Sequence, residues 1–248
     1  MHNLGQTRSS HQSNHVLLTP DTFVRTTFPG MKASAAIVHA SPAMGARFTQ
    51  YTAEVETGGE LGDTAVQRFV YVLDGNLTLE SDGQRSELAA RGYAYLPQGV
   101  KHKAAATIPC RVAVIEKPYQ AVGCAEAPRT IISSEDAVSS HPLDGDPDLQ
   151  VKCLLPDTMS FDFAVNTMVY QPGAALSMVE VHVMEHGLLM LEGGGIYRLG
   201  DSWYPVTAGD FIWMAPWCPQ WFGAIGKKPA KYLIYKDWNR HPQGSFAK

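Results

Sequence analysis

Residues 69–79 read FVYVLDGNLTL, and residues 188–199 read LLMLEGGGIYRL. Both stretches place an apolar run, a glycine turn and a second run in the same order, which is typical of two strands joined by a turn. A little further along each copy, RGYAYLP at 91–97 corresponds to AGDFIWMAP at 208–216, again with glycine, an apolar strand and proline. The sequence therefore predicts two copies of one β unit.

Short apolar runs separated by glycine and proline continue through both halves of the chain. The 248 residues include 22 Gly and 16 Pro, and few stretches keep a helical period. This pattern predicts an all-β protein. The predicted strands are Arg68 to Val72, Asn76 to Glu80, Tyr93 to Leu96, Arg111 to Ile115, Phe163 to Tyr170, Val179 to Val183, Leu188 to Leu191, Gly195 to Leu199, Phe211 to Met214 and Tyr232 to Tyr235.

Composition limits the possible partners. A hydrophobic content of 45% over this length is sufficient for packed cores. The 20 basic and 24 acidic residues are intermixed and give a net charge of -4, so no basic surface is expected to bind nucleic acid.

Residues 1–14 are polar and unlike a secretory signal, and no apolar run reaches membrane-spanning length. The four cysteines form no CxxC pair, which argues against a disulfide framework or a thiolate zinc site. We expect a cytoplasmic protein with a small-molecule partner and no membrane partner.

The segment PGAALSMVEVHVMEHG at 172–187 has the residue types of a metal site. Alternating valines favour an extended chain, which would turn Glu180, His182 and His186 to one side. Such groups inside a small barrel are costly unless something binds them. A lone histidine would more often be a core residue, but this set predicts a divalent metal. Imidazole and carboxylate ligands without thiolate favour manganese or iron over zinc.

The same segment resembles the first cupin motif, and residues 209–220 (GDFIWMAPWCPQ) resemble the second. Ordinary cupins have His first and last among the ligands and Glu third, whereas this chain has Glu first, His third and Gln last. The order ExHxxxH followed by Gln is similar to the (S)-ureidoglycine aminohydrolases of purine breakdown. LLTPDTFVRTTFPG at 17–30 and YLIYKDWNR at 232–240 extend the resemblance over nearly the whole chain.

The resemblance implies a bicupin, with two tandem jelly-roll barrels joined by a linker. The expected divisions are a flexible tail at 1–15, a degenerate N-terminal barrel at 16–117 without metal, a linker at 118–156, a C-terminal barrel at 157–240 with the metal site, and a tail at 241–248. It also implies Mn(II) held by Glu180, His182, His186 and Gln220, and a homo-oligomer.

For the chemistry, the resemblance implies Mn-dependent hydrolysis of (S)-ureidoglycine to (S)-ureidoglycolate and ammonia. The family's catalytic and substrate-binding residues correspond to Tyr197, Tyr232 and Lys236, and Gln220 would also face substrate. By residue type alone, the two tyrosines could equally be core aromatics and the lysine a solvated strand end. The strand spacing places Tyr232 and Lys236 on one face. In the family an acidic residue from the linker approaches the substrate, and Glu126 is the candidate for it.

Other functions remain open at this point. An oxygenase or isomerase of small polar acids could use the same metal, because cupins support many reactions. A metal-free binding or storage cupin is the third alternative, although the ligand set argues against it. In the N-terminal copy, Gln67 and Arg68 stand where metal ligands would be needed. His102 is therefore expected to be a satisfied or surface histidine.

Overall fold

A computed structural model describes residues 6–123 and 125–240, and within them the protein is built from strands and three short 3-10 helices, with no α-helix. The helices are Pro20–Thr22, Pro42–Met44 and Glu135–Ala137. The strands, in chain order, are β1 Ser10–His11, β2 His15–Leu18, β3 Arg25–Thr26, β4 Lys32–Ala40, β5 Thr49–Leu61, β6 Gln67–Asp74, β7 Asn76–Ser81, β8 Gln84–Ala89, β9 Gly92–Leu96, β10 His102–Ala105, β11 Cys110–Lys117, β12 Ile131–Ser134, β13 His141–Leu143, β14 Asp146–Cys153, β15 Phe163–Tyr170, β16 His186–Glu192, β17 Gly194–Leu199, β18 Ser202–Thr207, β19 Phe211–Met214, β20 Gln220–Ala224 and β21 Ala230–Asp237.

The first compact unit, which we call the N-terminal unit, spans Val24–Val138. Its strands form one sheet in the order β12-β9-β6-β11-β5-β10-β7-β8, and β4 pairs with both β3 and β5. Alternate residues of β6 and β11, such as Val70, Val72, Val112 and Val114, fill the core of this unit. Period-two burial of branched side chains is what the sequence pattern predicts for such strands.

The second compact unit, the C-terminal unit, combines residues 6–23 with the described residues from Ser139 onward. Its larger sheet has the order β1-β2-β19-β16-β21-β15-β14-β13, and a smaller sheet has the order β18-β17-β20. Side chains from both sheets share one core, including Leu188, Met190, Tyr197, Phe222 and Tyr232. This core lies beneath the predicted metal site.

The two units repeat one turn in detail, as the sequence predicts. Gly75 and Gly193 both have positive φ, 76° and 64°. A Cβ on Gly75 would lie 2.3 Å from the Pro109 carbonyl oxygen, and one on Gly193 would lie 2.4 Å from that of Pro229. Only glycine fits where φ is positive and backbone approaches this closely.

The predicted divisions of the chain differ from the units found. Residues 6–15 were expected in a flexible tail and 16–23 in the N-terminal barrel, but β2 pairs with β19 and both groups belong to the C-terminal unit. The predicted linker contributes β12 to the N-terminal unit, and β13 and β14 to the C-terminal unit. Pairing removes these backbone groups from solvent, which local sequence does not reveal. Residues 1–5, Cys124 and the predicted tail at 241–248 lie outside the described residues.

One predicted strand is wrong. Residues 179–183 form no strand, and the one bridge that the structure describes within them joins Glu180 to Gln220. Val179 and Val181 are 36% and 54% exposed instead of packing into a core. The valines favoured an extended chain, but tertiary context overrides that propensity. The other predicted strands lie within strands of the structure.

Candidate metal centre

A loop and two strand ends position the predicted ligands. Glu180 and His182 lie in the loop between β15 and β16, while His186 begins β16 and Gln220 begins β20. The Glu180 N–H donates to the Gln220 carbonyl at 2.8 Å, and the Gln220 N–H donates to the Glu180 carbonyl at 2.9 Å. The Trp217 N–H donates to the His182 carbonyl at 2.8 Å. These backbone bonds hold the loop against β20, so the residues converge without the predicted strand.

The structure brings the four predicted ligands together around the His182 imidazole. Its Nε2 lies 3.3 Å from His186 Nε2, 2.8 Å from the Gln220 side-chain nitrogen and 3.8 Å from Glu180 Oε2. Atoms that each bind one ion at about 2.1 Å, at right angles to each other, lie roughly 3 Å apart. The separations of the first two pairs are close to that value, and the carboxylate lies slightly outside it.

The hydrogen bonds of His186 show which ring nitrogen could bind a cation. Its Nδ1 faces only a carbonyl oxygen, that of Tyr235 at 3.3 Å, so Nδ1 carries the proton and donates. Burial, followed by His182 and Lys236, holds the pKa of His186 well below its usual value, and the ring is neutral. The Nε2 lone pair therefore points at His182 Nε2, a placement that a shared cation would stabilise.

Two observations complete the test of fit. Among the described residues, His182 Nδ1 is buried without a hydrogen-bond partner, so the contacts of Nε2 alone orient this ring through its nitrogens. Within the ranges that the structure describes, however, no three His, Cys, Asp or Glu side chains alone make up a metal cluster. Gln220 is therefore required to complete the donor set. Turning its amide by 180° would place the oxygen toward the imidazoles and the nitrogen toward the Tyr197 hydroxyl, which can accept as well as donate.

Three buried tyrosines line the barrel behind Gln220. The Tyr197 hydroxyl donates to Gln220 Oε1 at 3.3 Å, and the Tyr170 and Tyr232 hydroxyls are 2.7 Å apart. Burial raises the pKa of Tyr197 and Tyr232 well above the usual value, so both are neutral hydroxyls that can donate. Sequence reasoning missed Tyr170. Its position on the strand could have identified it. Met168 lies opposite Tyr232 in the pairing of β15 with β21, and Tyr170, two residues further along β15, is on the same face as Met168.

Lys236 lies opposite His186 in the pairing of β21 with β16. With the Asn166 amide oriented to satisfy both of its ends, its oxygen accepts from Lys236 Nζ at 3.2 Å. Nζ also lies 5.0 Å from the centre of the Trp238 ring, and the indole N–H of Trp238 donates to Asp157. Burial lowers the pKa of Lys236, although Cys153, Glu180 and Asp157 oppose the shift.

Sequence reasoning missed Asn166, Trp238 and Asp157. Asn166 shares alternate β15 positions with Met168 and Tyr170, and this periodicity could have identified it. Asp157 lies between strands, where no periodic signal exists. The proposed linker acid, Glu126, is an exposed residue of the N-terminal unit, 4.0 Å from Arg129. Its role stays a prediction.

Comparisons with known proteins agree with this arrangement. Residues 166–235 match the family model described as a cupin domain, and residues 43–119 match an EutQ-like cupin domain. The predicted all-β bicupin fold is thereby confirmed. In the described part of the chain, no helix is both long enough and apolar enough to cross a membrane.

Two curated relatives align with almost the whole chain. A protein of Oryza sativa named "Probable (S)-ureidoglycine aminohydrolase" is 41% identical over 96% of this chain and 77% of its own length. The (S)-ureidoglycine aminohydrolase of Arabidopsis thaliana is 39% identical over 96% of this chain and 80% of its own length. A crystal structure of a Pseudomonas aeruginosa protein described as glyoxylate-induced has a TM-score of 0.88 and 29% identity, covering 98% of this chain and 94% of that one.

Proposed function

The chain belongs to the (S)-ureidoglycine aminohydrolase family, and from this premise we propose that it hydrolyses (S)-ureidoglycine to (S)-ureidoglycolate and ammonia with the help of Mn(II). The observation that supports the proposal most directly is the approach of the Glu180, His186 and Gln220 side chains to His182 Nε2, at 3.8, 3.3 and 2.8 Å. Family membership supports the reaction, and the donor set supports the metal.

Glu180, His182, His186 and Gln220 would hold the metal ion. Two neutral imidazoles, one amide and one carboxylate leave net positive charge on a divalent ion. Bound there, Mn(II) would supply Lewis acidity and a template for an anionic substrate. Oxygen and nitrogen donors without thiolate suit manganese.

We assign proton transfer to Lys236. Hydrolysis breaks the carbon–nitrogen bond, forms a carbon–oxygen bond, moves a proton from water and leaves one on ammonia. Because burial lowers the pKa of Lys236, its amine is easier to deprotonate than an exposed lysine. Nζ could then accept the proton from water and return it to the leaving nitrogen. The bond to Asn166 would fix the direction of Nζ during both transfers.

The tyrosines would orient the substrate. Tyr197 and Tyr232 are neutral hydroxyls in a dry wall of the barrel, with 1% and 2% of their surface exposed. With the Gln220 oxygen turned toward the metal, the Tyr197 hydroxyl would accept from the amide nitrogen and could donate its proton to an oxygen atom of the substrate, and the Tyr232 hydroxyl could do the same while it accepts from Tyr170. Both side chains would keep bulk water away from the reacting carbon. Tyr170 holds the Tyr232 hydroxyl in place.

The test is turnover of enzymatically generated ureidoglycine by protein that has been stripped of metal and then supplied with Mn(II). Ammonia release and the chirality of the product are followed. We expect (S)-ureidoglycolate to form only with metal, and His182→Ala to bind less Mn(II) and lose activity. The exposed His141, changed to Ala, is the matched control and should keep both. Full activity without metal, or in His182→Ala, would contradict the proposal.

The same preparation separates the alternatives. Iron in the purified protein together with oxygen consumption would favour an oxygenase, and absence of both metal and turnover would favour a binding cupin.

A cytoplasmic homo-oligomer remains our expectation. Exposed apolar side chains near the site, namely Met178, Val181 and Trp217 at 67%, 54% and 62%, support an association that light scattering can measure.

A further inference from the structure

The N-terminal unit contains a cluster at the position that corresponds to the predicted metal centre. Arg68 lies seven residues before the turn glycine Gly75, and His186 lies seven residues before the corresponding Gly193. The strand pairings agree, because Arg68 lies opposite Glu116 and His186 lies opposite Lys236. The guanidinium of Arg68 thus occupies the equivalent of a ligand position.

Arg68 is only 3% exposed and is held by two neighbours. Its Nη1 donates to His102 Nε2 at 2.9 Å, while Nε and Nη2 both donate to Glu116 Oε1, at 2.8 and 2.6 Å. His102 Nδ1 donates to the Val100 carbonyl at 3.0 Å, so its Nε2 lone pair accepts from Arg68. His102 is therefore a satisfied histidine, and a cation of the protein itself fills this site.

Part of this cluster still has hydrogen-bonding capacity. Glu116 Oε1 also accepts from the Tyr51 hydroxyl at 3.1 Å, but Oε2 of the same carboxylate has no partner among the described residues. An arginine has five N–H donors; the contacts of Arg68 with His102 and Glu116 use three of them, and a hydrogen bond to the Tyr51 hydroxyl uses a fourth. One acceptor of Glu116 and one donor of Arg68 therefore stay open.

Arg68, Tyr51 and Glu116 line a cavity of about 320 Å³ within the N-terminal unit, and the other polar residues of its lining are Thr49, Asp63 and Thr64. Apolar contacts come from Phe28, Pro29 and Met31. This volume is at the lower end of the range for sites that bind small molecules.

We propose that this cavity is a second, metal-independent binding site for a small neutral molecule of the amide or urea class. Arg68 and Glu116 already pair with each other, so a charged ligand would find no unpaired opposite charge in the buried part of the cavity, and the exposed Asp63 would also repel a carboxylate. A neutral group with adjacent N–H and C=O matches the open acceptor and the open donor. The apolar lining would cover its hydrocarbon part. The site requires neither the metal nor turnover in the other unit.

The experiment is ligand-observed saturation-transfer NMR on the full chain in the presence of EDTA. The probe is 2-imidazolidinone, with acetate and ethylammonium as charged comparators of similar size. We expect saturable binding of the neutral probe, and binding at least tenfold weaker for both charged probes. Equal binding of either comparator, or no saturable signal from the probe, would overturn the assignment.

Two variants locate the signal. Ala65 is an exposed residue that lines the cavity, so Ala65→Trp would occupy the space while leaving Arg68 and Glu116 unchanged in sequence, and it should abolish binding. Glu116→Gln removes the open carboxylate oxygen and should weaken binding about tenfold. Glu87→Gln, on exposed β8, and Lys236→Met are the controls and should bind the probe as the unaltered chain does. A signal that persists in Ala65→Trp, or that disappears in Lys236→Met, would contradict a site in this unit.

Discussion

The side chain of Lys236 has an environment that separates a catalytic role from a merely structural one. Its pKa is lowered by burial, and Asn166 accepts from its Nζ at 3.2 Å. Methionine has nearly the same length and is apolar, so Lys236→Met should leave the fold intact. We expect this variant to lose ammonia release by at least about a hundredfold, as removal of a proton-transfer group does.

Bound Mn(II), measured by metal analysis of the same sample, should be unchanged in Lys236→Met. Lys227→Met, at an exposed lysine of the same unit, should keep both metal and activity. If Lys236→Met turned over at the normal rate, the proton-transfer role would be lost, although the metal site could stand. If it lost its metal as well, Lys236 would have to be reclassified as structural.

His39 predicts how the stability of the N-terminal unit depends on pH. Burial, followed by the charge of Arg111, lowers its pKa from 6.5 to about 3, and its Nε2 is 2.8 Å from the Thr52 hydroxyl. Below pH 6.5 the unfolded chain binds a proton on His39 and the folded chain does not. The stability that neutral His39 contributes to the folded chain is therefore fully present above pH 6.5 and is lost as the pH falls toward 3. The loss is about 1.4 kcal/mol per pH unit.

The measurement is urea unfolding at pH 6.5 and pH 5, followed by far-ultraviolet circular dichroism. Over this range, His39 should account for about 2 kcal/mol of the decrease in the free energy of unfolding. His39→Gln keeps a donor near Thr52 but does not titrate, so its decrease should be smaller by that amount. An equal decrease in both proteins would show that His39 titrates normally.

Among the elements of secondary structure, strands with regular alternation were predictable, and the loop that carries the ligands was not. Short apolar runs identified nine of the described strands, β15 and β19 with their bounds, because each buries one face against a core. Residues 179–183 have the same local pattern, yet their valines face solvent and their ligands are held by backbone bonds to Gln220 and Trp217. The residues that the family resemblance names as ligands lie close together through these backbone bonds and not through alternation, and their role as ligands stays a prediction.

Two glycines, one after β15 and one after β16, offer a matched pair of substitutions. Gly193 and Gly173 both have positive φ, 64° and 89°, but a Cβ on Gly193 would meet the Pro229 carbonyl oxygen at 2.4 Å, whereas one on Gly173 would meet nothing within 4 Å. Gly173→Ala should cost about 1–2 kcal/mol from backbone strain alone. Gly193→Ala should cost about 2–5 kcal/mol, because a clash is added. Chemical denaturation of both variants checks the order, and equal costs would show that the turn relaxes.

At the scale of the whole molecule, the sequence predicted two β units but not which parts of the chain build each one. Local patterns report burial, whereas the pairing of β2 with β19 joins segments that are far apart in sequence. Val16 and Leu17 resemble any short apolar run, and nothing nearby identifies their partner. Arg8 likewise gives no signal of its bidentate ion pair with Asp210, at 2.6 and 2.8 Å.

The place of β2 in the C-terminal unit predicts that a substitution at residue 17 destabilises that unit, whereas the expected division at residue 16 would put the effect in the N-terminal barrel. All five tryptophans, residues 203, 213, 217, 221 and 238, belong to the C-terminal unit, so tryptophan fluorescence reports the unfolding of that unit alone. Leu17 is fully buried in its core, and Leu17→Ala should lower the free energy of unfolding seen by fluorescence by about 2–5 kcal/mol. Leu18→Ala, at a half-buried neighbour, should cost less. If Leu17→Ala left the fluorescence transition unchanged, the first strands would not belong to the C-terminal unit, since a buried leucine cannot be truncated without cost to the core that surrounds it.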